Sequence, residues 1–482
     1  MSRPQLTTTL SGYRIHLVGI KGTGMTALAE ILADRGAVIS GSDGPERFYT
    51  DGILQRLGIP YAESFDSDHI DSQIQLVVHS AAYDRKDNAE LIAAEQKGIP
   101  ILSYPEALGL LSESGEASGI SGTHGKTTTA ALTGTILRAW DLPVTVLAGS
   151  AVAEFGDRST LILGQRHFVA ETCEYRRHFL HFHPQRIVIT AVEADHLDYF
   201  RDVDDVLDAF YSFCLKLPSG GQLIVNQDDA GAREVLGRVQ RKRLDVSIIP
   251  YGRSATGRFR ITEIETAAGY TRFRLSGLED ALLLRIPGIH SVYNATAACA
   301  LSCCILEGEG RELTVPLAQA MGQALEDFRG SRRRSEILGT AGGVLFIDDY
   351  GHHPTEIAST LAGLKSFYPE RRIIVDFMSH TYSRTKALLK EFGRCFQAAD
   401  LVVLHRIYAS AREKSNGSMD GNTLFREVSR HHPQVVYFEE PMDSLSYLRE
   451  TLRPGDLFVT MGAGDNWRIG REIFESAVEA AQ

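Results

Sequence analysis

Apolar runs of five to seven residues recur along the chain, separated by stretches that helices would fill. They read "RIHLVGI" (14–20), "QLVVHSA" (75–81), "HFVAET" (167–172), "RIVITAV" (186–192) and "QLIVNQ" (222–227), then "VLFIDDY" (344–350), "RIIVDFM" (372–378), "LVVLH" (401–405) and "DLFVTMG" (456–462). Short apolar strands alternating with helical patterns such as "TTTAALTGTILRAW" predict βαβ units and mainly parallel sheets, an α/β fold. Two weak breaks interrupt the alternation. "LSESGEASG" (111–119) is small and polar, and "EDFRGSRRRSEILG" (326–339) is charged. Cuts there predict three domains, 1–115, 116–328 and 329–482, each of ordinary domain size.

Composition narrows the class. The 482 residues exceed one compact core, and 43% hydrophobic with 23% charged residues is globular usage. A net charge of −11 disfavours a nucleic-acid partner. The N-terminus lacks an apolar signal core, and no run of about 18 apolar residues occurs, so a cytoplasmic protein with no membrane partner is expected. Six cysteines without metal-type spacing read as free thiols, mostly in cores.

Three constellations carry candidate chemistry. After the first strand, Gly22-Thr23-Gly24-Met25-Thr26-Ala27 fits G-x-G-x-x-A, with Asp43 closing the next strand. Glycine admits a pyrophosphate at a helix N-terminus, and an acid there can bind ribose. A nicotinamide oxidoreductase, another nucleotide-diphosphate site and a simple tight turn all fit. Next, Gly122-Thr123-His124-Gly125-Lys126-Thr127-Thr128 leads into a helix and reads as a shortened triphosphate loop. Its amides would face phosphate, Lys126 would neutralise charge, and the Thr127 hydroxyl would ligate Mg²⁺. His124 touches phosphate or shapes the loop. Glu171 and His196, placed at strand ends, are candidates to complete the metal set, with Asp195 and Asp198 as competitors. Third, Asp348, Asp349, Tyr350, His352 and His353 follow an apolar strand. No cysteine or third histidine sits at a zinc spacing there. An arginine of the 332–334 run is apt for a γ-phosphate if a domain closes over it, or belongs to a solvated charge run.

These motifs, with "EADHLDYF", "GIHSVYNATAA", "RRRSEILG", "DDYGHHPTEI", "HTYSRT", "IYASARE" and "GAGDNW", span nearly the whole chain in one order. The chain resembles the Mur ligases, ATP-dependent amide-forming enzymes of peptidoglycan precursor synthesis. The resemblance implies a Rossmann-like UDP-binding domain, a central P-loop ATPase with a mainly parallel sheet, and a Rossmann-like C-terminal domain. It implies ATP on residues 122–128, His290, Asn294, Arg334 and Asp349, and Mg²⁺ on Thr127, Glu171 and His196. It places the UDP part against Gly22, Thr23, Gly24, Met25, Asp43, Ser80 and Ala81. Tyr350, His352 and His353 fall near a second metal and the incoming amino acid, His380 and Arg384 are among the substrate-binding residues, and Lys126, Glu171, His196, Arg334 and His352 carry the chemistry. Tyr350, Gly351 and Glu356 favour the branch that adds L-alanine to UDP-N-acetylmuramate over the tripeptide-adding branch. A monomer or homodimer is expected. The segment "ETCEYRR" (171–177), Ser291 and Thr381 depart from the family pattern. A nicotinamide oxidoreductase and a non-enzymatic ATP sensor are the rival classes.

Overall fold

A computed structural model describes residues 6, 9–196, 199–409, 417 and 419–479. Asp198 and most of "IYASARE" therefore lie outside the described residues. Two compact units emerge, one of residues 1–191, 207–250 and 297–321, the other of residues 192–206, 251–296 and 322–482.

The first unit contains two sheets. In the N-terminal one, Tyr61–Ala62, Val38–Ser42, Arg14–Val18, Leu76–His79 and Ile101–Ser103 lie side by side in that order, all parallel. Strand order reverses beside Arg14–Val18, so the glycine turn that follows it opens at a switch point, where crevices form. In the second sheet Glu116–Ser121 lies between Arg186–Ile189 and His167–Glu171, and Ser121 and Ile120 pair with Ile189 and Glu171. Non-sequential neighbours thus bring three strand ends to one edge. Arg158–Ile162 runs antiparallel, against Val144–Val152.

Helix Thr23–Asp34 is buried at every residue from Met25 to Leu32, more than one helical face can account for. It packs on its own sheet and also on Val144–Val152 and Arg158–Ile162 of the second sheet. Glu30 lies inside that junction, accepting from Thr160 Oγ1, with Arg158 at 3.7 Å. Burial raises its pKa, while Thr160 and Arg158 oppose the rise.

The second unit holds an antiparallel meander, Ile261–Ala267, Tyr270–Leu275 and Leu282–Leu284, which the strand pattern did not predict. It also holds a six-stranded sheet ordered Glu336–Ala341, Val344–Asp349, Leu457–Gly462, Ile373–Met378, Leu401–Leu404, Val435–Tyr437. Apolar clusters built around Ile347, Val375 and Val459 on one side, and Phe346, Ile374 and Phe458 on the other, cover both of its faces. Among the described residues one helix, Ile289–Gly308, is long and apolar enough to cross a membrane; 83% of its apolar window is buried, as in a core helix.

Each of the nine predicted strands is present. The break read at 111–119 is different in structure. It holds the end of helix Tyr104–Ser112 and then the second sheet's central strand, Glu116–Ser121. Small residues suit that strand because its faces are crowded: a Cβ on Gly119 would lie 3.0 Å from Phe213. His196 is also placed differently. Its strand stops at Ile189, Thr123 N–H bonds Ala191 C=O, and His196 lies in the irregular segment beyond.

Candidate active site

The shortened loop is built around two glycines. Gly122 has φ +143°, and a Cβ there would overlap Thr190 Oγ1, whose hydroxyl bonds the Ser121 and His124 carbonyls. Gly125, at φ +81°, opens helix Lys126–Ala139. Thr127 Oγ1 donates to Glu171 Oε2 at 2.7 Å, which joins the two expected metal oxygens of this unit. Gly149 leaves the space that the Glu171 carboxylate fills.

Lys126 Nζ turns back to the Gly122 and Thr123 carbonyls and to both oxygens of Glu174, at 3.1 and 3.3 Å. The Glu174 side chain is only 2% exposed. Burial would lower the Lys126 pKa, but the charges of Glu174 and Glu171 outweigh it and hold it above its ordinary value. Glu174 was missed at the sequence level; its sole signal is the second acid of "ETCE". Just beyond, Arg176 and Arg177 both take left-handed backbone, φ 51° and 57°, uncommon for non-glycine residues.

At the N-terminal turn, Gly22 caps helix Thr23–Asp34 without a side-chain partner, leaving its first amides to a ligand. Thr23 accepts from the Tyr49 hydroxyl at 3.0 Å. Gly19 packs so tightly on Ser80 that a Cβ would lie 2.8 Å from the Ser80 Cβ, which brings residues 80–81 beside the turn. Asp43 is buried and accepts from Lys21 N (2.7 Å), Gly44 N (2.8 Å) and Tyr83 Oη (2.9 Å). It organises the turn. A Cβ on Gly24 would touch the Tyr104 ring at 2.9 Å. A cavity of about 190 Å³ runs from Gly24 and Tyr104 to Glu171, Cys173 and His178. It thus links the glycine turn to the Glu171 carboxylate, inside one unit.

In the second unit, Asp195 and Arg384 form a buried ion pair, with Arg384 Nε and Nη2 at 3.1 and 2.8 Å from Asp195 Oδ1. Arg384 Nη1 donates to His380 Nδ1 at 3.1 Å. Burial works to raise the Asp195 pKa, but His196, Arg384 and His352 hold it far below the carboxylate range. His380 stacks on Tyr408 and meets the His352 edge, each ring at 6.0 Å, and His352 meets Tyr350 at 5.1 Å. Arg333 and Arg334 sit over Tyr350, 5.1 and 5.3 Å from its centroid. Burial, and then the Arg384 charge, push the His352 pKa down to about 4, so His352 is neutral at pH 7.

The remaining expected residues are arranged locally. His353 caps helix Pro354–Phe367, accepting from Thr355 N while Glu356 returns a bond to the His353 amide. Asp349 is buried and accepts from Ser335 N and Oγ and from Gly351 N, at 2.7, 3.0 and 2.7 Å. Arg334 Nη1 lies 3.8 Å from Glu356 Oε1. His290 Nδ1 is 3.0 Å from Ser359 Oγ, and Asn294 is buried on the same helix. Lys126, Thr127 and Glu171 are thus assembled in the first unit, and His352, His380 and Arg384 in the second.

Comparison with known proteins covers most of the chain. Residues 14–115 match the Mur ligase family catalytic domain, residues 120–302 the Mur ligase middle domain, and residues 333–464 the Mur ligase glutamate ligase domain. A UDP-N-acetylmuramate–L-alanine ligase of Treponema pallidum is 48% identical over 474 residues, 98% of each chain. One of Desulfitobacterium hafniense is 39% identical over 465 residues, covering 95% of this chain and 99% of the other. The crystal structure of a UDP-N-acetylmuramate-alanine ligase from Thermotoga maritima shares the fold at TM-score 0.79 and 24% identity, covering 97% of this chain and 100% of the other. Glycine turn, triphosphate loop and C-terminal cluster occur in three consecutive family domains, and the chain belongs to the Mur ligase family.

Proposed function

We propose that the protein joins L-alanine to the carboxylate of UDP-N-acetylmuramate with conversion of ATP to ADP and phosphate, in peptidoglycan precursor synthesis in the cytoplasm. The carrying observation is the Thr127–Glu171 contact beside Lys126, in a loop that Gly122 alone can build. Near-full-length likeness to enzymes of that name supports the substrate pair. The domain bounds that fit this reading are 1–115, 116–328 and 329–482.

A carboxylate is a poor electrophile, so the γ-phosphoryl group of ATP is transferred to it, and the alanine amine displaces phosphate through a tetrahedral intermediate. Both steps build negative charge, which cations stabilise without a covalent enzyme nucleophile. In this reading Lys126 exchanges Glu174 for phosphate, and the 122–128 amides cradle it. Arg334 meets the γ-phosphate, while His290, Asn294 and Asp349 serve the adenosine side. Two hard oxygens 2.7 Å apart, on Thr127 and Glu171, suit Mg²⁺, with His196 as the third ligand. The metal would supply charge neutralisation at the transferring phosphoryl group. Residues 22–25, 80 and 81 take the UDP part, and Tyr350, His352, His353, His380 and Arg384 take alanine. His352, neutral at pH 7, adds no positive charge against the incoming ammonium group. Asp43 spends its oxygens on Lys21, Gly44 and Tyr83, which disfavours the ribose-binding acid of a nicotinamide enzyme.

The test is phosphate release from purified protein with ATP, UDP-N-acetylmuramate and L-alanine, and with each omitted. Release is expected only with all three. Equal release without alanine or without the sugar nucleotide would sink the ligase assignment.

A further inference from the structure

Asp195 directs three hydrogen bonds onto one oxygen, Oδ1. His196 N–H reaches it at 2.7 Å, and Arg384 adds Nε and Nη2 at 3.1 and 2.8 Å. Arg384 lies 189 residues from Asp195 in the chain, whereas His196 is its neighbour. Both side chains are buried, Asp195 at 6% exposure and Arg384 at 9%. His196 has φ 54°, a left-handed value that non-glycine residues rarely adopt. Its carbonyl accepts from the Tyr199 and Phe200 amides, so His196 is held through its C=O on one side and, by the bond to Asp195 Oδ1, through its N–H on the other.

Arg384 carries the effect further. A guanidinium has no lone pair, so its Nη1 contact makes His380 Nδ1 the acceptor and places the His380 proton on Nε2. Thr381, at φ 67°, starts the short helix Tyr382–Ala387 that presents Arg384, and the Thr381 amide is tied to the Tyr408 carbonyl at 2.9 Å. His380 in turn stacks on Tyr408 and meets His352.

We propose that Asp195 is a positioning residue: one carboxylate oxygen holds the left-handed turn that aims His196 and fixes the Arg384 fork, which sets the tautomer of His380. The pairing does not touch reacting atoms. It makes the metal-side histidine and the amino-acid-side cluster depend on one buried anion. The consequence for alanine rests on the amino-acid role proposed above for Arg384 and His380; the positioning itself does not.

Two measurements on the full chain test this. Nitrogen-15 NMR of histidine-labelled protein, with His380 assigned by its loss in His380→Gln, is expected to show Nδ1 unprotonated and Nε2 protonated at neutral pH. A protonated Nδ1 in the wild type would overturn the relay, whatever happens to any variant. The second is a double-mutant cycle read in kcat/KM for L-alanine. Asp195→Asn and Arg384→Gln should each lower it about tenfold or more, the loss expected for a hydrogen bond to a charged group. Because Asp195 reaches the amino-acid cluster through Arg384, adding Asp195→Asn to Arg384→Gln should cost a smaller factor than Asp195→Asn costs alone, the remainder being its hold on His196. Full multiplication of the two losses would refute the coupling. If His380 has the expected tautomer and Arg384→Gln leaves kcat/KM for alanine unchanged, the positioning stands and the amino-acid assignment fails.

Discussion

Lys126 is the residue at which function and stability meet. Its charge is directed at phosphate in the proposed reaction, so Lys126→Ala should lower kcat at least about a thousandfold, the scale of losing one transition-state charge contact. The structure adds a stability cost, because Glu174 would remain buried without its cation. Removing one partner of a buried pair costs about 3 kcal/mol. Urea unfolding should therefore show Lys126→Ala destabilised, and Lys126→Ala with Glu174→Gln largely restored. Equal stability of the two variants would mean that Glu174 does not need the lysine.

His352 gives a pH dependence whose sign follows from burial. Its folded pKa, about 4, lies below the ordinary value of 6.5, so the unfolded chain binds its proton first. The stability contributed by a neutral His352 is present above pH 6.5 and is lost as pH falls from there toward 4. Between pH 7 and pH 5 this one group should remove about 2 kcal/mol. Unfolding curves at both pH values, for the parent and His352→Gln, would measure it. A parent and variant with the same pH slope would refute the assignment.

At the scale of elements, both strand-to-helix turns depend on glycine for different reasons. Gly122 is required by its φ and by Thr190, whereas Gly24 is required by the Tyr104 ring packed against it. Gly24→Val should push Tyr104 into the cavity that ends at Glu171 and raise the KM for UDP-N-acetylmuramate about tenfold or more, since crowding a packed site costs about 1–3 kcal/mol. ADP affinity, assigned in the proposed function to the 122–128 loop, should change little. Calorimetric titration of the variant with each ligand decides it, and unchanged affinity for the sugar nucleotide would remove Gly24 from that site. Most elements were legible because apolar strands and the helical repeat leave periodic marks. The strand Glu116–Ser121 was not, because its small residues answer to Phe213, Phe182 and Thr172 from elsewhere in the chain.

At the scale of the whole molecule, residues 1–115 have their own parallel sheet but not their own complete core. Helix Thr23–Asp34 also packs on strands Val144–Val152 and Arg158–Ile162. A 1–115 fragment should therefore expose apolar helix surface and bury Glu30 less well, giving a less cooperative thermal transition than the full chain. A sharp transition at the full-chain temperature would show that the domain is self-sufficient. The full chain should bind UDP-N-acetylmuramate without ATP, and should not bind NAD. Tight NAD binding without UDP binding would overturn the reading of the glycine turn.

By itself the sequence determined the alternation of strands and helices, the glycines that admit phosphate, and the Lys126-Thr127 pair that follows them. These are local, since backbone freedom, charge and periodicity are properties of neighbours in the chain. Only the tertiary structure decided what each charged group faces. Glu116–Ser121 lies between strands that come 46 or more residues later in its sheet, and that order puts Glu171 against Thr127 and Glu174 against Lys126. Asp43 accepts from Lys21, Gly44 and Tyr83, and Asp195 from His196 and Arg384, and the distant partners among these leave no mark in the local sequence. A side chain's role is set by the partners that satisfy it when water is gone, and those partners are chosen by packing across the fold.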